Sequence, residues 1–233
     1  MATVLINDEY LNDIADAIRE KTHGVATYAP NEMAAAIRDI ATDTEETLQI
    51  DTLIMQNAAI DYTNDRVTSI AGYTFSNNLF LTGVHFEKVT TIGQYAFQNC
   101  SDLEDVDFPN AIEIQPNAFD NCDALVNVIF PKVENVGMYA FKNCSELTKV
   151  DLPVAKKLNA QVFSGCAKLT TVILRYNGVT SPESSGSSFP SGIYFYVPSN
   201  RVDEYKAHYL WSAIEGRIRA IEDYPDITGL EAE

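Results

Sequence analysis

The sequence predicts an α/β repeat solenoid, in which parallel strands from successive turns of the chain stack on one another. Three columns of residues that recur every 22 positions carry this prediction. The cysteines are Cys100, Cys122, Cys144 and Cys166. The phenylalanines are Phe75, Phe97, Phe119, Phe141 and Phe163. The leucines are Leu81, Leu103, Leu125, Leu147 and Leu169. Because no single turn can bury its own apolar side, stability must come from contacts between turns.

Each repeat contains a short stretch whose residues alternate between apolar and polar, as in a strand. In the repeat that begins at Ile92, this alternation predicts that Val106 and Phe108 point inward. Ile114 and Phe119 are expected to close the opposite wall of the same turn. A proline, which lacks the N–H that would continue the ladder, directly follows three of the strands. These prolines are Pro109, Pro131 and Pro153.

Two neighbouring columns predict how each turn ends. The first column exchanges asparagine for glycine, which favours a left-handed backbone position: Asn77, Asn99, Asn121, Asn143 and Gly165. The cysteines follow directly and are interpreted as small inward-facing hydrophobes. Asn78 replaces cysteine in the first repeat, so the column does not require sulfur. Ligands 22 residues apart do not fit the close pairs of a zinc site, and structural packing is favoured over a redox or metal role.

The repeated motif of Phe, Asn-Cys, Leu, Val, Phe and Pro resembles the BspA-like branch of the leucine-rich repeats. The repeats run from about residue 60 to 175, and a final strand and helix extend the likeness to about residue 220. The resemblance implies binding modules that are extracellular or displayed on the cell surface, commonly adhesins of bacteria on mucosal surfaces. It does not imply an enzyme. The first repeat departs from the motif because it lacks both Cys and Pro, as a terminal repeat can.

The chain is predicted to divide into two parts. Residues 1–47 form an N-terminal helical hairpin and linker, and residues 48–233 form the leucine-rich repeat domain. Within that domain, five core repeats occupy residues 70–174 and a C-terminal strand-helix cap occupies residues 189–222. Residues 48–68 alternate well enough to supply capping strands. The stretch from Ser181 to Ser188 is a flexible loop by composition.

The predicted cap has an apolar side on its terminal helices, which should cover the open edge of the last turn. The residues on that side are Val202, Tyr205, Trp211, Ile214 and Ile218.

The N-terminal hairpin has two interpretations. A first helix is predicted to place Leu11, Ile14, Ala15 and Ile18 on one face, and a second helix is predicted to begin near Pro30 or Asn31. Such a hairpin would cap the first turn or begin a linker. Alternatively, the segment LNDIADAIREKTHGVATYAPNEMAAAI resembles a small N-terminal module of phage and prophage structural proteins, often found ahead of tail or receptor-binding parts.

Composition excludes several classes of function. Sixteen Lys and Arg residues against thirty-three Asp and Glu residues give a net charge of −17. Such an acidic chain is a poor binder of nucleic acid or anionic lipid, both of which need a basic surface. No stretch approaches the roughly 20 apolar residues of a membrane span, and the chain as given shows no signal peptide. We therefore expect no membrane insertion.

No catalytic or metal-binding motif stands out in the sequence. His23, His85 and His208 lie in three different segments and in no metal or triad spacing. An acidic cluster lacks the glycine and ligand alternation of a calcium loop and is interpreted as a solvated surface: Asp102, Glu104, Asp105 and Asp107. We expect no catalytic site, no bound metal and no cofactor.

The outward strand positions are the predicted binding surface, because repeat arrays use such faces for recognition. One stacked column is Gly83, Asp105, Asn127, Lys149 and Thr171. The adjacent column is His85, Asp107, Ile129, Asp151 and Ile173. Two isoleucines among polar residues are compatible with a contact patch.

These observations favour a non-enzymatic recognition protein, a bacterial surface adhesin that binds a host or bacterial cell-surface protein or glycan. The alternative is a phage or prophage tail protein that binds the bacterial surface and has other virion proteins as partners. An adhesin needs an export signal, whereas a virion protein assembles in the cytoplasm and is released by lysis. The lack of a visible signal peptide therefore favours the virion alternative. A third alternative is a hydrolase with an unrecognised site. The expected location is accordingly extracellular, on a cell surface or in a virion.

Overall fold

The computed structural model describes residues 60–228, apart from 65–66, 80, 160 and 183–188. The helical hairpin and linker predicted at residues 1–47 lie outside these residues, as does the segment that resembles a phage tail module. Both stay predictions. Across the described part of the chain, none of the helices is long and apolar enough to span a bilayer.

Short parallel strands follow one another along the described chain. In chain order they are β1 (Ile60–Thr63), β2 (Ser69–Ile70), β3 (Leu81–His85), β4 (Thr91–Ile92), β5 (Asp105–Asp107), β6 (Glu113–Ile114), β7 (Asn127–Ile129), β8 (Asn135–Val136), β9 (Lys149–Asp151), β10 (Lys157–Leu158), β11 (Thr171–Ile173), β12 (Ser181–Pro182), β13 (Tyr194–Val197) and β14 (Ile218–Ala220). Neighbouring strands of a sheet pair in parallel and belong to successive turns. The predicted solenoid of parallel strands is confirmed.

The strands form two walls with the core between them. We call one wall the strand face; it contains the sheets β1-β3-β5 and β7-β9-β11-β13-β14. The other wall is the second sheet, which runs from β2 to β12 through the even-numbered strands. On the strand face, Val84 pairs with Val106 and Val128 pairs with Val150, so the register advances by one 22-residue repeat per turn. The array is longer than the five turns expected, since β1 precedes them and β13 and β14 follow.

The inward and outward positions of the strand face follow the predicted alternation in β5. Val106 and Phe108 are buried, whereas Asp105 and Asp107 are exposed. The sequence predicted that Ile114 and Phe119 close the opposite wall. In the structure, Ile114 is the buried residue of the two-residue strand β6. A strand this short presents one inward residue, so its alternation is too brief to see in the sequence.

Phenylalanine rings form a continuous ladder through the core. The ring centroids of Phe75 and Phe97 are 5.0 Å apart, those of Phe97 and Phe119 are 5.1 Å apart, and those of Phe119 and Phe141 are 5.3 Å apart. Interplanar angles of 5° or less show that the rings are stacked in parallel. The parallel stack forms because the strand spacing places the same residue about 4.8 Å along the array at each turn.

The asparagine column adopts the left-handed backbone predicted for it. The φ angles of Asn77, Asn99, Asn121 and Asn143 lie between 57° and 63°, and that of Gly165 is 81°. The side-chain amides also bind each other: Nδ2 of Asn121 donates to Oδ1 of Asn99 at 2.6 Å, and Nδ2 of Asn143 donates to Oδ1 of Asn121 at 2.8 Å. This column therefore joins neighbouring turns through side chains as well as through the backbone.

The four cysteines are buried and free, as the packing interpretation predicts. Each thiol also donates a hydrogen bond to a phenylalanine carbonyl oxygen of the preceding turn. The distance is 3.1 Å from Sγ of Cys122 to the oxygen of Phe97, and 2.8 Å from Sγ of Cys166 to that of Phe141. The thiol thus fills space in the core and satisfies a backbone acceptor.

The C-terminal cap combines strands with short helices. Helix α1 is Val202–Ala207 and helix α2 is Pro225–Thr228, with 3-10 helices at Ser199–Arg201, Ser212–Arg217 and Ile221–Asp223. The expectation that Ile218 lies in a terminal helix is wrong, because it begins strand β14, which pairs with β13. The expected loop from Ser181 is also corrected: Ser181 and Pro182 form β12, and residues 183–188 lie outside the description.

Aromatic side chains of the cap close the end of the core. Trp211 is fully buried, and its indole nitrogen donates to the carbonyl oxygen of Thr180 at 2.7 Å. The hydroxyl of Tyr205 donates to Oγ1 of Thr180 at 2.9 Å. The ring of Phe189 stacks on Trp211 with 5.5 Å between centroids. The polar ends of both cap aromatics therefore have partners, which lets them be buried at little cost.

Candidate functional site

Two carboxylates face a histidine on the part of the strand face formed by β3, β5 and β7, which we call the open half. Nε2 of His85 lies 3.7 Å from Oδ2 of Asp105, and Nδ1 of His85 lies 3.9 Å from Oδ2 of Asp107. The side chains of Asp105 and Asp107 are 72% and 61% exposed. Charge on these groups is therefore presented to solvent, where it attracts cationic groups.

Apolar side chains lie beside this acidic pair. Ile129 in β7 is 55% exposed, and Val126, just before the same strand, is 44% exposed. Asn127 is exposed between them, and its Oδ1 accepts a hydrogen bond from Oγ1 of Thr148 at 3.0 Å. The open half thus offers negative charge and apolar surface on neighbouring turns. Val126 was not foreseen, because it lies outside the strand alternation.

The other part of the strand face, formed by β9, β11 and β13, is covered, and two expectations fail there. Asp151 is 4% exposed and Ile173 is fully buried, although both were predicted to face solvent. Ile173 packs with Tyr196 and Ile221, and Tyr194, Tyr224 and Ile227 complete the cluster. The C-terminal segment folds back over this covered half, which removes its outward residues from solvent.

The remaining candidates of the covered half contact the same segment or its neighbours. Nζ of Lys149 donates to the carbonyl oxygen of Ile227 at 2.5 Å. Thr171 is half-buried and pairs in register with Lys149 and Tyr194. Gly83, placed in the same outward column, is buried in β3. The candidate residues that remain together at an open surface are His85, Asp105, Asp107, Asn127 and Ile129.

An ion pair on the covered half joins the buried Asp151 to Arg175, whose side chain is half-buried. Oδ2 of Asp151 is 2.5 Å from Nη2 of Arg175 and 3.2 Å from Nη1. Burial raises the pKa of Asp151, while the positive charges of Arg175 and Lys149 oppose that rise. The second carboxylate oxygen, Oδ1, has no hydrogen-bond partner among the described residues. The protonated form of the Asp151 carboxyl group is therefore more favoured in the folded protein than in water.

The covering segment is fixed by an arginine between aromatic rings. The guanidinium carbon of Arg219 lies 3.8 Å from the centroid of the Tyr194 ring. Nη1 of Arg219 donates to the hydroxyl of Tyr224 at 2.8 Å, and the ring of Tyr224 meets Tyr196 edge-on at 5.1 Å. These contacts make the cover part of the packed fold.

The described residues show neither a metal-ligand cluster nor an activated thiol among Cys100, Cys122 and Cys144. Within the described ranges, no group of three His, Cys, Asp or Glu side chains could hold a metal ion. Burial raises the pKa of Cys100 to about 12, and it raises the pKa of Cys122 and Cys144 well above the usual thiol value. Thiols with such pKa values are poor nucleophiles near neutral pH. His208 lies in the cap, apart from His85, and His23 lies outside the described residues.

Sequence reasoning missed a second column with left-handed backbone, which we call the tyrosine column. Its members, with φ between 57° and 65°, are Tyr73, Tyr95, Asn117, Tyr139 and Gln161. The rings of Tyr73 and Tyr95 stack with 4.8 Å between centroids. The sequence did contain a signal for this column: tyrosine recurs in 22-residue phase with Asn117, and asparagine tolerates a left-handed backbone.

The repeat pattern also matches a known family. A model of the BspA type leucine rich repeat region matches residues 68–185 in six copies. The chain belongs to the BspA-type leucine-rich repeat family. This confirms the resemblance carried by the Phe, Asn-Cys, Leu and Val columns. No curated protein sequence matches the chain.

Two solved structures share this BspA-type repeat fold. The pneumococcal vaccine antigen PcpA is 19% identical, with a TM-score of 0.58 over 71% of this chain and 41% of that chain. A leucine rich cell surface protein of Faecalibacterium prausnitzii A2-165 is 22% identical, with a TM-score of 0.50 over 63% of this chain and 38% of that chain. The chain thus spans under half the length of these proteins, and the likeness is one of fold.

Proposed function

We propose that this BspA-type repeat protein is a non-enzymatic adhesin, displayed at a cell surface, that binds a cell-surface protein through the open half of the strand face. The observation that carries the proposal is the placement of Asp105 and Asp107 beside Ile129 and Val126. Carboxylates recognise Lys and Arg side chains, whereas the apolar pair gives a partner surface to bury. A basic protein segment with an apolar residue fits both features.

The charge of the whole chain supports the same kind of partner. A net charge of −17 steers cationic surfaces toward the protein and repels acidic ones. Long-range attraction of this kind raises the association rate and is screened by salt. The proposed complex therefore forms more slowly as ionic strength rises.

Display at a cell surface is proposed by analogy of fold. One structural neighbour is described as a leucine rich cell surface protein, and another as a vaccine antigen. A shared fold supports such an assignment without fixing the partner, because function resides in the surface residues. The partner is therefore argued from the open half itself.

The proposal is tested by binding the purified, labelled chain to intact epithelial and bacterial cells, before and after the cells are treated with protease. We expect capture that protease treatment removes, because the partner is a protein. Two variants of the open half, Asp105→Lys with Asp107→Lys and, separately, Ile129→Lys, should each weaken capture at least tenfold. Raising the salt concentration should weaken capture by the wild-type chain.

The matched control is Glu113→Lys, which makes the same kind of change at an exposed residue of the second sheet. It should leave capture unchanged. Equal capture by the wild-type chain and both open-half variants, with all proteins folded by circular dichroism, would contradict the proposal. Protease-resistant capture that the open-half variants weaken as much as they weaken protease-sensitive capture would also contradict it.

A further inference from the structure

We infer that the tyrosine column is a second binding surface, which takes neutral pyranose rings of a glycan. It lies on the other wall of the solenoid, three residues after the strands of the second sheet, so it is separate from the open half of the strand face. Tyr95, for example, follows Thr91–Ile92 of β4. The inference rests on the stacked rings of Tyr73 and Tyr95, on the uncharged sequence segments that carry the column, and on a backbone position at which tyrosine is not required.

The column contains one stacked pair of rings and a separate third ring, all at least partly open to solvent. Tyr73 is 59% exposed and stacks on Tyr95 with an interplanar angle of 19°. Further along the column, Tyr139 is half-buried and its neighbour Met138 is 41% exposed. Between them Asn117 is 9% exposed. Its side chain is shorter than that of tyrosine, so the column presents rings on either side of a lower step.

The segments that carry the tyrosine column contain no charged residue, and the one charge that the described residues place over its rings is Nζ of Lys142, 5.6 Å from the centroid of the Tyr139 ring at the far end from Tyr73 and Tyr95. Each column residue and the two residues before it form a segment without Asp, Glu, Lys or Arg, although 21% of the residues in the chain are charged. These segments are Ala71–Tyr73, Gly93–Tyr95, Gln115–Asn117, Gly137–Tyr139 and 159–161. The polar groups they supply are the side-chain amides of Gln94, Gln115, Asn117, Asn159 and Gln161.

The backbone explains why the column is left-handed but not why it holds tyrosine. The N–H of Tyr73 donates to the carbonyl oxygen of Gln94 at 3.1 Å, and that of Asn117 donates to Met138 at 3.0 Å. Asparagine thus makes the same bond between turns as tyrosine does. Asparagine also tolerates a left-handed backbone better than a residue with a bulky ring. The tyrosines are therefore not needed for the fold of the turn.

Exposed aromatic rings beside neutral amides match the chemistry of a sugar. One face of a pyranose ring carries C–H groups that pack on an aromatic ring, while its hydroxyls exchange hydrogen bonds with amide side chains. Gln94 is exposed next to Tyr95. The backbone N–H of Gln94 donates to Oε1 of Gln115 at 3.1 Å, which holds the side chain of Gln115 beside the column. Acidic sugars would be repelled by the overall charge of −17. The occupant is accordingly a neutral glycan.

The test is a glycan array that carries neutral, sialylated and sulfated oligosaccharides, probed with the full chain. We expect binding to neutral oligosaccharides that falls about tenfold or more in the double variant Tyr73→Asn with Tyr95→Asn. The conservative variant Tyr95→Phe keeps the ring and should retain binding. Asparagine occurs naturally at position 117, so the double variant is expected to fold, and its melting temperature is measured beside the array.

Independence from the proposed strand-face function is tested with Asp105→Lys and Asp107→Lys, which should leave glycan binding unchanged. Failure of the open half to bind cells would therefore not affect this inference. The inference is overturned by an array with no bound glycan, by binding confined to acidic glycans, or by equal binding of the folded double variant and the wild-type chain.

Discussion

Arg175 forms an ion pair with the buried carboxylate of Asp151 on the covered half of the strand face, with 2.5 Å between Nη2 and Oδ2, while its own side chain stays 34% exposed. Asp151 belongs to the same outward column as Asp107, which is solvated two turns earlier. The difference arises because Tyr196, Ile221 and their neighbours cover one half of the strand face. The covering segment thus limits the accessible surface to the turns that carry Asp105 and Asp107.

Replacing Arg175 with Met should strongly destabilise the chain at neutral pH. The change leaves the buried carboxylate of Asp151 without its guanidinium partner, and because the Arg175 side chain is one-third exposed we expect a loss of about 1–3 kcal/mol of unfolding free energy. Urea denaturation followed by circular dichroism measures the loss. The double variant Arg175→Met with Asp151→Asn removes the uncompensated charge and should regain most of the stability. A double variant as unstable as Arg175→Met would contradict this account.

The pH dependence of stability should reveal the raised pKa of Asp151. Burial, the largest influence, places its folded pKa above its unfolded value, so the native state binds the extra proton. Stability from this group is therefore greatest at low pH and falls as pH rises from the unfolded to the folded pKa. Asp151→Asn lacks this titration. The unfolding free energy of Asp151→Asn relative to that of the wild-type chain should therefore rise from about pH 4 upward and then level off. If the difference in unfolding free energy between the two proteins is the same at every pH, the pKa of Asp151 is not shifted.

Two substitutions of Asn121 separate its backbone role from its side-chain role. Asn121→Gly keeps the left-handed backbone but loses the amide bonds to Asn99 and Asn143, each worth about 0.5–1.5 kcal/mol. Asn121→Ala loses the same bonds and also strains the backbone at a φ of 60°, which adds about 1–2 kcal/mol. Thermal unfolding should rank the wild-type chain first, then Gly, then Ala. Equal melting temperatures for the two variants would contradict the backbone role.

The repeated contacts were predictable because each one recurs at the same interval. Val106, Cys122 and Asn121 each contact residues about one turn away, so the 22-residue period encodes their surroundings. The parallel strands and the inward cysteines followed from that period, and the left-handed asparagines followed from the exchange of asparagine with glycine within one column. The exposed residues Asp105 and Ile129 also followed, because their neighbours are members of the same columns.

Contacts with the non-repeating end of the chain could not be predicted in this way. Ile173 is buried by Tyr196 and Ile221, and Lys149 binds the carbonyl oxygen of Ile227. The positions of these partners depend on how the cap folds back over the array, which a repeat period does not encode. Strand β14 at Ile218 was missed for a similar reason, since a three-residue strand between 3-10 helices shows no distinct alternation.

Replacing Ile221 with Asp should open the cover without unfolding the array. Ile221 is 7% exposed and packs against Ile173 and Tyr196, so a carboxylate there would lose this apolar contact and be poorly solvated. Hydrogen exchange should accelerate in β14 and at residues 221–228, while the amides of β5 and β7 keep their protection. Asp223→Ala, at an exposed neighbour, is the control and should exchange like the wild-type chain. Equal acceleration across the array would show that the cover is inseparable from the fold.

The buried thiols should resist alkylation until the chain unfolds. With the pKa of Cys100 raised to about 12, roughly one thiol in 10⁴ is ionised at about pH 8, and the thiolate is the reactive form. Burial of Cys122 and Cys144 also blocks access of the reagent. Mass spectrometry after iodoacetamide treatment should show no adduct on the native chain and four adducts on the urea-unfolded chain, since the sequence holds four cysteines. Cys122→Ala is the control and should reduce the unfolded count by one. Fewer than four adducts on the unfolded wild-type chain would reveal a disulfide or another modification, and rapid labelling of the native chain would show that the thiol column is accessible.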